Sequence, residues 1–302
     1  MNKKINIAKL DHTSKKSLSS VTMFGVENAK KVNAFHQSFP EYKITPLAHL
    51  NNLAKELGVK NIYVKDESYR FGLNAFKVLG GSHAVGNFIA KKLSLDISDL
   101  PYEKMVSESV RNALGDMTFI TATDGNHGRG LAWTANRLQQ NSVVYMPKGS
   151  ALERLENIQN LGSDASILDL NYDDAVHLAN CEAMKNNWIF VQDTSFENYE
   201  EIPIWIMQGY TTMANEAVAQ LDGIKPTHIF LQAGVGALAG ALTAYFSDLF
   251  GKERPIITIV EPDKADCLYQ TAKANNGKLQ FVKGDLDTIM AGLACGEPGT
   301  IG

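Results

Sequence analysis

The chain has 302 residues and a net charge of −4, from 29 Lys and Arg against 33 Asp and Glu. A hydrophobic share of 44% with 21% charged residues is that of a globular chain, and the length suits two domains or one large one. The mildly acidic balance, with no long run of Lys or Arg, argues against a nucleic-acid or membrane-surface protein.

In chain order, Met1-Asn2-Lys3-Lys4-Ile5-Asn6 carries charge with no apolar stretch behind it, so no signal peptide is expected. Residues 61–65 form a short apolar run ahead of a helix at about 77–91. Residues 118–122 lead into a helix at about 128–138, and 142–146 into a helix at 151–161 followed by 165–168. Residues 173–186 read as another helix and 188–191 as a strand. Residues 228–232 introduce a helix at 237–250, and 256–260 begin the next unit. Short β-branched runs alternating with helices predict an α/β chain with two open, mostly parallel sheets, buried on both faces under helices. Such sheets take ligands at the carboxyl ends of their strands. The apolar run 233–246 is too short for the roughly 18 residues of a membrane span. Cys181, Cys267 and Cys295 lie far apart without a C-x-x-C pair, which gives neither a disulfide framework nor a zinc signature. Whether Cys267 and Cys295 approach each other stays open, and a reduced, cytoplasmic protein is the expectation.

Three strand-end loops carry the candidate chemistry. Gln232-Ala233-Gly234-Val235-Gly236-Ala237-Leu238-Ala239-Gly240 can converge backbone N–H groups on a phosphate at a helix N-terminus. It also fits the dinucleotide pattern G-x-G-x-x-A, with Glu261 as the acidic follower, and equally fits tight helix–strand packing with no ligand. In Thr121-Ala122-Thr123-Asp124-Gly125-Asn126-His127-Gly128, Asp124 or Asn126 can simply cap the next helix, and His127 reads as an ordinary loop side chain. In Asn74-Ala75-Phe76-Lys77, Asn74 is a candidate N-cap and Lys77 falls in the first helical turn. The helix dipole and burial both favour a neutral amine there, the state Schiff-base chemistry needs, although most lysines are solvated surface groups.

Together the three loops are similar to those of the fold type II pyridoxal-phosphate enzymes, the relatives of the tryptophan synthase β-subunit. More closely, Val64-Lys65-Asp66-Glu67-Ser68-Tyr69-Arg70-Phe71-Gly72-Leu73-Asn74-Ala75-Phe76-Lys77-Val78-Leu79-Gly80-Gly81 resembles the diaminopropionate ammonia-lyases. Ala122-Thr123-Asp124-Gly125-Asn126-His127-Gly128-Arg129-Gly130, Val191-Gln192-Asp193-Thr194 and Gln208-Gly209-Tyr210 agree with that family. Gly284-Asp285-Leu286-Asp287-Thr288-Ile289-Met290-Ala291-Gly292-Leu293 continues the resemblance, which covers about 40–298.

The resemblance implies that Lys77 holds pyridoxal 5′-phosphate covalently and that Asn126 hydrogen-bonds the ring 3′-oxygen. It places the phosphate on the backbone of Gly234, Val235, Gly236, Ala237 and Leu238. The implied reaction splits 2,3-diaminopropionate of either hand into pyruvate and two ammonia, with Asp124 the base for the D form and Asp193 for the L form. Without it, Asp193 reads as a turn-forming residue at a strand end. A homodimer is implied too, as is a smaller domain, 84–209, inserted between large-domain segments 1–83 and 210–302. The chain departs from the pattern after Cys295-Gly296-Glu297-Pro298, where it reads Gly299-Thr300-Ile301-Gly302. There the relatives continue for roughly a hundred residues, about the size of a small domain, and no residue is assignable to the pyridine nitrogen. A large domain incomplete at that end, in a relative that binds the cofactor but turns over weakly or not at all, is the alternative expectation. A nicotinamide-dependent oxidoreductase built on 234–239 is a third reading, and it leaves Lys77 and the loop around Asp124 and Asn126 unexplained.

Overall fold

Runs such as Phe119-Ile120 and Val143-Val144 place apolar side chains on both sides of a strand, so helices must cover both faces of their sheet. The computed structural model describes residues 5–9, 21–123 and 125–301, and shows this arrangement. Two units divide the chain: Val26–Asp193 with Glu201–Lys225 form one, and the other takes in Thr194–Glu200 and the chain from Pro226 onward.

The first unit runs α1 (Val26–Gln37), β1 (Leu47–His49), α2 (Asn51–Glu56), β2 (Tyr63–Lys65), α3 (Lys77–Lys92), α4 (Tyr102–Met105) and α5 (Glu108–Leu114). It continues with β3 (Thr118–Ala122), α6 (Asn126–Arg137), β4 (Asn141–Met146), α7 (Leu152–Gln159), β5 (Asp164–Ile167), α8 (Tyr172–Asn186), β6 (Ile189–Phe190) and α9 (Glu201–Gln220). The first two strands form a small antiparallel pair, and the other four a parallel sheet of order β5-β4-β3-β6. The chain steps outward from β3 to β5, and α8 then carries it back to β6 on the far side of β3. Right-handed crossovers therefore put α6 and α7 on one face and α8 on the other. On the first face Ala132, Val144, Met146, Ile158 and Ala165 pack into one core. The strand order reverses between β3 and β6, the place where such a sheet takes a ligand. Thr123 and Gly125 follow one of these strands, and Asp193 follows the other.

Helix α3 is wedged between α6 and α9 through glycines. A Cβ on Gly209 would lie 2.3 Å from Leu79 O, and one on Gly130 2.8 Å from Val78 Cα, so only glycine permits this approach. A buried charge cluster ties the same unit together. The Arg70 guanidinium is 1% exposed and meets Glu216 in two parallel bonds of 2.8 Å, while Lys65 Nζ lies 2.6 Å from Glu216 Oε2. Glu67 takes Arg70 Nε at 2.8 Å, and the Tyr42 hydroxyl donates to Glu216 at 2.7 Å. Two cations and two carboxylates cancel, which is the condition for burying them. Burial pushes the Glu216 carboxyl up, but the Arg70 bonds outweigh it and hold the group below its ordinary range. The expected domain boundaries at 83/84 and 209/210 fall inside α3 and α9, both in this unit.

The second unit holds β7 (His228–Gln232), α10 (Ala237–Phe250), β8 (Ile256–Val260) and α11 (Cys267–Ala274). The two strands are parallel neighbours joined by α10. The sequence predicts burial on both faces, but alternate residues Phe230, Ile256 and Val260 share one face and are 68%, 61% and 43% exposed. An apolar run identifies a strand without saying how many of its faces are covered. Among the described residues no helix is long and apolar enough to cross a membrane.

Candidate active site

Asn74 adopts a left-handed backbone (φ +53°), which Asn tolerates better than most residues. It therefore turns the chain instead of capping it: Phe76 is the N-cap and Lys77 the first helical residue of α3. Lys77 Nζ forms a short ion pair with Asp193, their side chains 23% and 7% exposed. Burial alone would raise the Asp193 carboxyl, but the Lys77 charge, with help from His127 and the Lys77 hydrogen bond, holds it down at about 2. The neutral amine expected from the helix dipole thus has an opponent that sequence spacing did not show: a carboxylate 116 residues away.

Tyr210, from α9, lies beside this pair. Lys77 Nζ is 5.8 Å from its ring centroid and 5.7 Å from that of Phe76. The Tyr210 side chain is fully buried and its hydroxyl has no hydrogen-bond partner. His127 is buried as well; its Nε2 donates to Val191 O at 2.8 Å, and its Nδ1 has no hydrogen-bond partner. Neither orphaned atom could be inferred from sequence, where Tyr210 stood only within a matching tripeptide and His127 read as an ordinary loop residue.

Asn126 opens α6 directly after the N-cap Gly125 (φ +150°), so it is not the cap that its residue type suggested. Asp124 lies outside the described residues. In the second unit the loop from Gly234 leads through Gly236, at φ +100°, into α10. The helices α3, α6 and α10, which follow the three motif loops, lack a side-chain hydrogen bond from the N-cap residue, as do α2, α4, α7 and α11, while Ser107 and Asn171 cap α5 and α8. Uncapped first-turn N–H groups are donors without intrahelical partners, suited to an anion. Both oxygens of Glu261 are spent on Leu268 N and Tyr269 N at 2.9 and 2.7 Å, at the start of α11. The acidic residue that the nicotinamide reading requires is therefore a helix cap. Cys267 and Cys295 are not joined in a disulfide, and burial foremost pushes the Cys267 thiol up to about 12. No cluster of His, Cys, Asp and Glu among the described residues is placed to hold a metal.

The sequence matches the pyridoxal-phosphate dependent enzyme family over residues 38–301. The diaminopropionate ammonia-lyase of Salmonella typhimurium is 52% identical over 274 residues, 90% of this chain and 68% of that protein. The chain belongs to the diaminopropionate ammonia-lyase family. Another member, from Escherichia coli K12, is 51% identical over 283 residues, covering 93% of this chain and 69% of that one. The crystal structure of the Escherichia coli enzyme in complex with D-serine superposes with a TM-score of 0.85 at 50% identity, over 93% of this chain and 69% of that chain. The chain thus spans a little over two thirds of the length of these family members.

Proposed function

We propose that the chain catalyses the pyridoxal-phosphate-dependent elimination of ammonia from 2,3-diaminopropionate of either hand, the released product then taking up one water to give pyruvate and a second ammonia. The observation that carries this reading is the shielded pairing of Lys77, first residue of α3, with Asp193 at the switch point of the parallel sheet. The residues present suit the cofactor, each unit taken by itself. Lys77 offers an amine, and Tyr210 Oη and His127 Nδ1 are buried polar atoms still lacking partners. The Gly234–Leu238 backbone, numbered 234–238, offers N–H groups at a helix start with no competing cap.

When bound, pyridoxal phosphate supplies an electron sink for the charge left on the substrate Cα. The other tasks fall to the chain. Lys77 Nζ holds the cofactor, Asn126 orients the ring through its 3′-oxygen, and the backbone of Gly234, Val235, Gly236, Ala237 and Leu238 holds the phosphate. Asp193 takes the Cα proton of the L form and Asp124 that of the D form. At about 2, Asp193 is too weak a base while the Lys77 ammonium faces it. Once Lys77 Nζ is engaged elsewhere, burial remains and the stabilising charge is gone, so the carboxylate becomes more basic at the moment a base is needed. The D-serine held by the Escherichia coli enzyme supports a site that admits the D hand. A homodimer belongs to the same reading, and sedimentation velocity tests it.

The deciding experiment is borohydride reduction after incubation with pyridoxal phosphate, with peptide mapping, beside a pyruvate assay on both enantiomers. A pyridoxyl group on Lys77 with pyruvate released from both hands is the expected result. A label on another lysine refutes the assignment. A label on Lys77 without pyruvate leaves a cofactor-binding relative that does not turn over.

A further inference from the structure

The β3–β6 ladder breaks off where the site begins. Residues 119 and 120 stand opposite 189 and 190, and Val191 N still donates to Ile120 O at 2.8 Å. Continued in register, the next bond of a parallel pair would run from Ala122 N to Val191 O. Instead Val191 O accepts His127 Nε2 at 2.8 Å, and Ala122 N donates to the Gln192 side chain, 3.2 Å from Oε1. The same oxygen accepts the Thr121 hydroxyl at 2.7 Å. On its other side the amide donates from Nε2 to the hydroxyl of Tyr172, first residue of α8, at 2.9 Å. Turned over, the amide would set its NH2 against Ala122 N–H, donor against donor, so its orientation is fixed. Gln192, Thr121 and Ala122 are all 0% exposed, which shields these bonds from water. Gln192 thus clamps the end of β6 to β3 one residue before Asp193, whose carboxylate pairs with Lys77.

We propose that Gln192 is a positioning residue for Asp193: its amide, standing in for a strand carbonyl, sets the point at which β6 leaves β3 and so holds the Asp193 carboxylate against Lys77. The proposal deepens the reading of Asp193 as the base for the L form, and rests on that reading for its consequence in turnover. Released from β3, residue 192 would shift and carry its neighbour away from the amine.

The test uses the full chain without cofactor and trace acetylation from about pH 6 to 11, a range that brackets the ordinary lysine value. Peptide mass spectrometry follows Lys77 against the exposed Lys30. Gln192→Met keeps the length and bulk of the side chain and removes its amide. A facing carboxylate keeps an amine protonated over about one to three further pH units, so the Lys77 midpoint should fall by about half to one unit as the pair loosens. In an Asp193→Asn background the same substitution should no longer move it, because Asp193 carries the effect; a general loosening of the sheet would move both alike. Thr121→Val keeps a β-branched shape and removes only the shorter bond to Oε1, so it should give a smaller fall. No fall in Gln192→Met, or in Thr121→Val where the former does not fold, overturns the proposal, as does an equal fall with and without Asp193. In pyruvate release Gln192→Met should slow the L form about tenfold more than the D form, since about 1 Å of misplacement costs up to about 10²-fold. Labelling is independent of turnover, so an inactive chain leaves this result standing, and an active chain with no shift removes this inference alone.

Discussion

Adding one methyl group at Gly130 tests how far the position of Lys77 depends on the contact between α6 and α3. A Cβ there would sit 2.8 Å from Val78 Cα, 2.9 Å from Val78 N and 3.3 Å from the carbonyl carbon of Lys77. All three are backbone atoms, so no rotamer change relieves the overlap, and ordinary contact begins near 3.4 Å. The helices must separate by roughly half an ångström. Overpacking of this kind costs about 1–3 kcal/mol, of which the better helix propensity of alanine returns at most about 1. Gly130→Ala should therefore lose about 0.5–2 kcal/mol in a urea titration. The displacement falls on residues 77 and 78. A reacting group misplaced by about 1 Å loses about 10²-fold in rate, so about tenfold is expected here in kcat for pyruvate release. Gly81→Ala is the matched control on the facing helix. Its Cβ would meet Gly130 C and Leu131 N at 3.5 Å, an ordinary contact, and alanine there should stabilise by up to about 1 kcal/mol. A Gly130→Ala chain as stable and active as its parent, or two variants that behave alike, refutes the packing argument.

Acid should destabilise the first unit through two buried histidines. Burial lowers His83 to about 4 and His36 well below its ordinary value, so the unfolded chain binds protons that the native one refuses, and stability falls as pH drops below about 6.5. His83, at about 4 against an ordinary 6.5, alone contributes a loss of about 3 kcal/mol by pH 4. His83→Asn, which retains a donor for Trp205 O, should flatten the fall measured by urea titration between pH 7 and pH 4, and an unchanged slope would remove the assignment. Glu216→Gln leaves Arg70 and Lys65 short of charge in the core and should cost about 3–5 kcal/mol, against no more than about 0.5 for Glu27→Gln at the exposed Lys30 pair; similar losses for the two would contradict this. Asp193→Asn should lower turnover of L-diaminopropionate by about 10²–10⁴ and of the D form by less, with Asp124→Asn the reverse. Equal losses on both hands would dispose of the two-base reading.

Elements built from one signal at a time were legible in the sequence. Residues 118–122, 228–232 and 256–260 form strands and 237–250 a helix as predicted, because their order, short apolar run then longer helical stretch after Gly234 and Gly236, separates the two types by length and breakers. Helix α9 carried no such signal. It opens Glu201-Ile202-Pro203-Ile204-Trp205-Ile206-Met207, apolar on all sides and with an early proline, because it packs against both α1 and α3. Strand β2 lies within the predicted run 61–65, but its antiparallel partner β1 is only three residues long, too short for alternation to register. At the site, spacing found Lys77 at a helix start, yet it could not show the contact with Asp193 across 116 residues. Cap assignments failed for Asn74 and Asn126 because a residue type that favours caps equally favours a left-handed turn or a first helical position.

The Glu216 cluster also sets an order of events on the ribosome. Arg70 meets its carboxylate partner 146 residues later in the chain, and Tyr42 waits longer still, 174 residues. At about 5–20 residues per second, Arg70 is made roughly 7–30 s before Glu216 exists. During that interval Lys65 and Arg70 have only the neighbouring Glu67 to answer two positive charges, so burying them is unfavourable. The N-terminal stretch from Tyr42 to Arg70 is thus kept from closing prematurely, and α9 delivers the charge that allows it to lock. Chains released before Glu216 should remain protease-sensitive in that stretch however complete their parallel sheet has become.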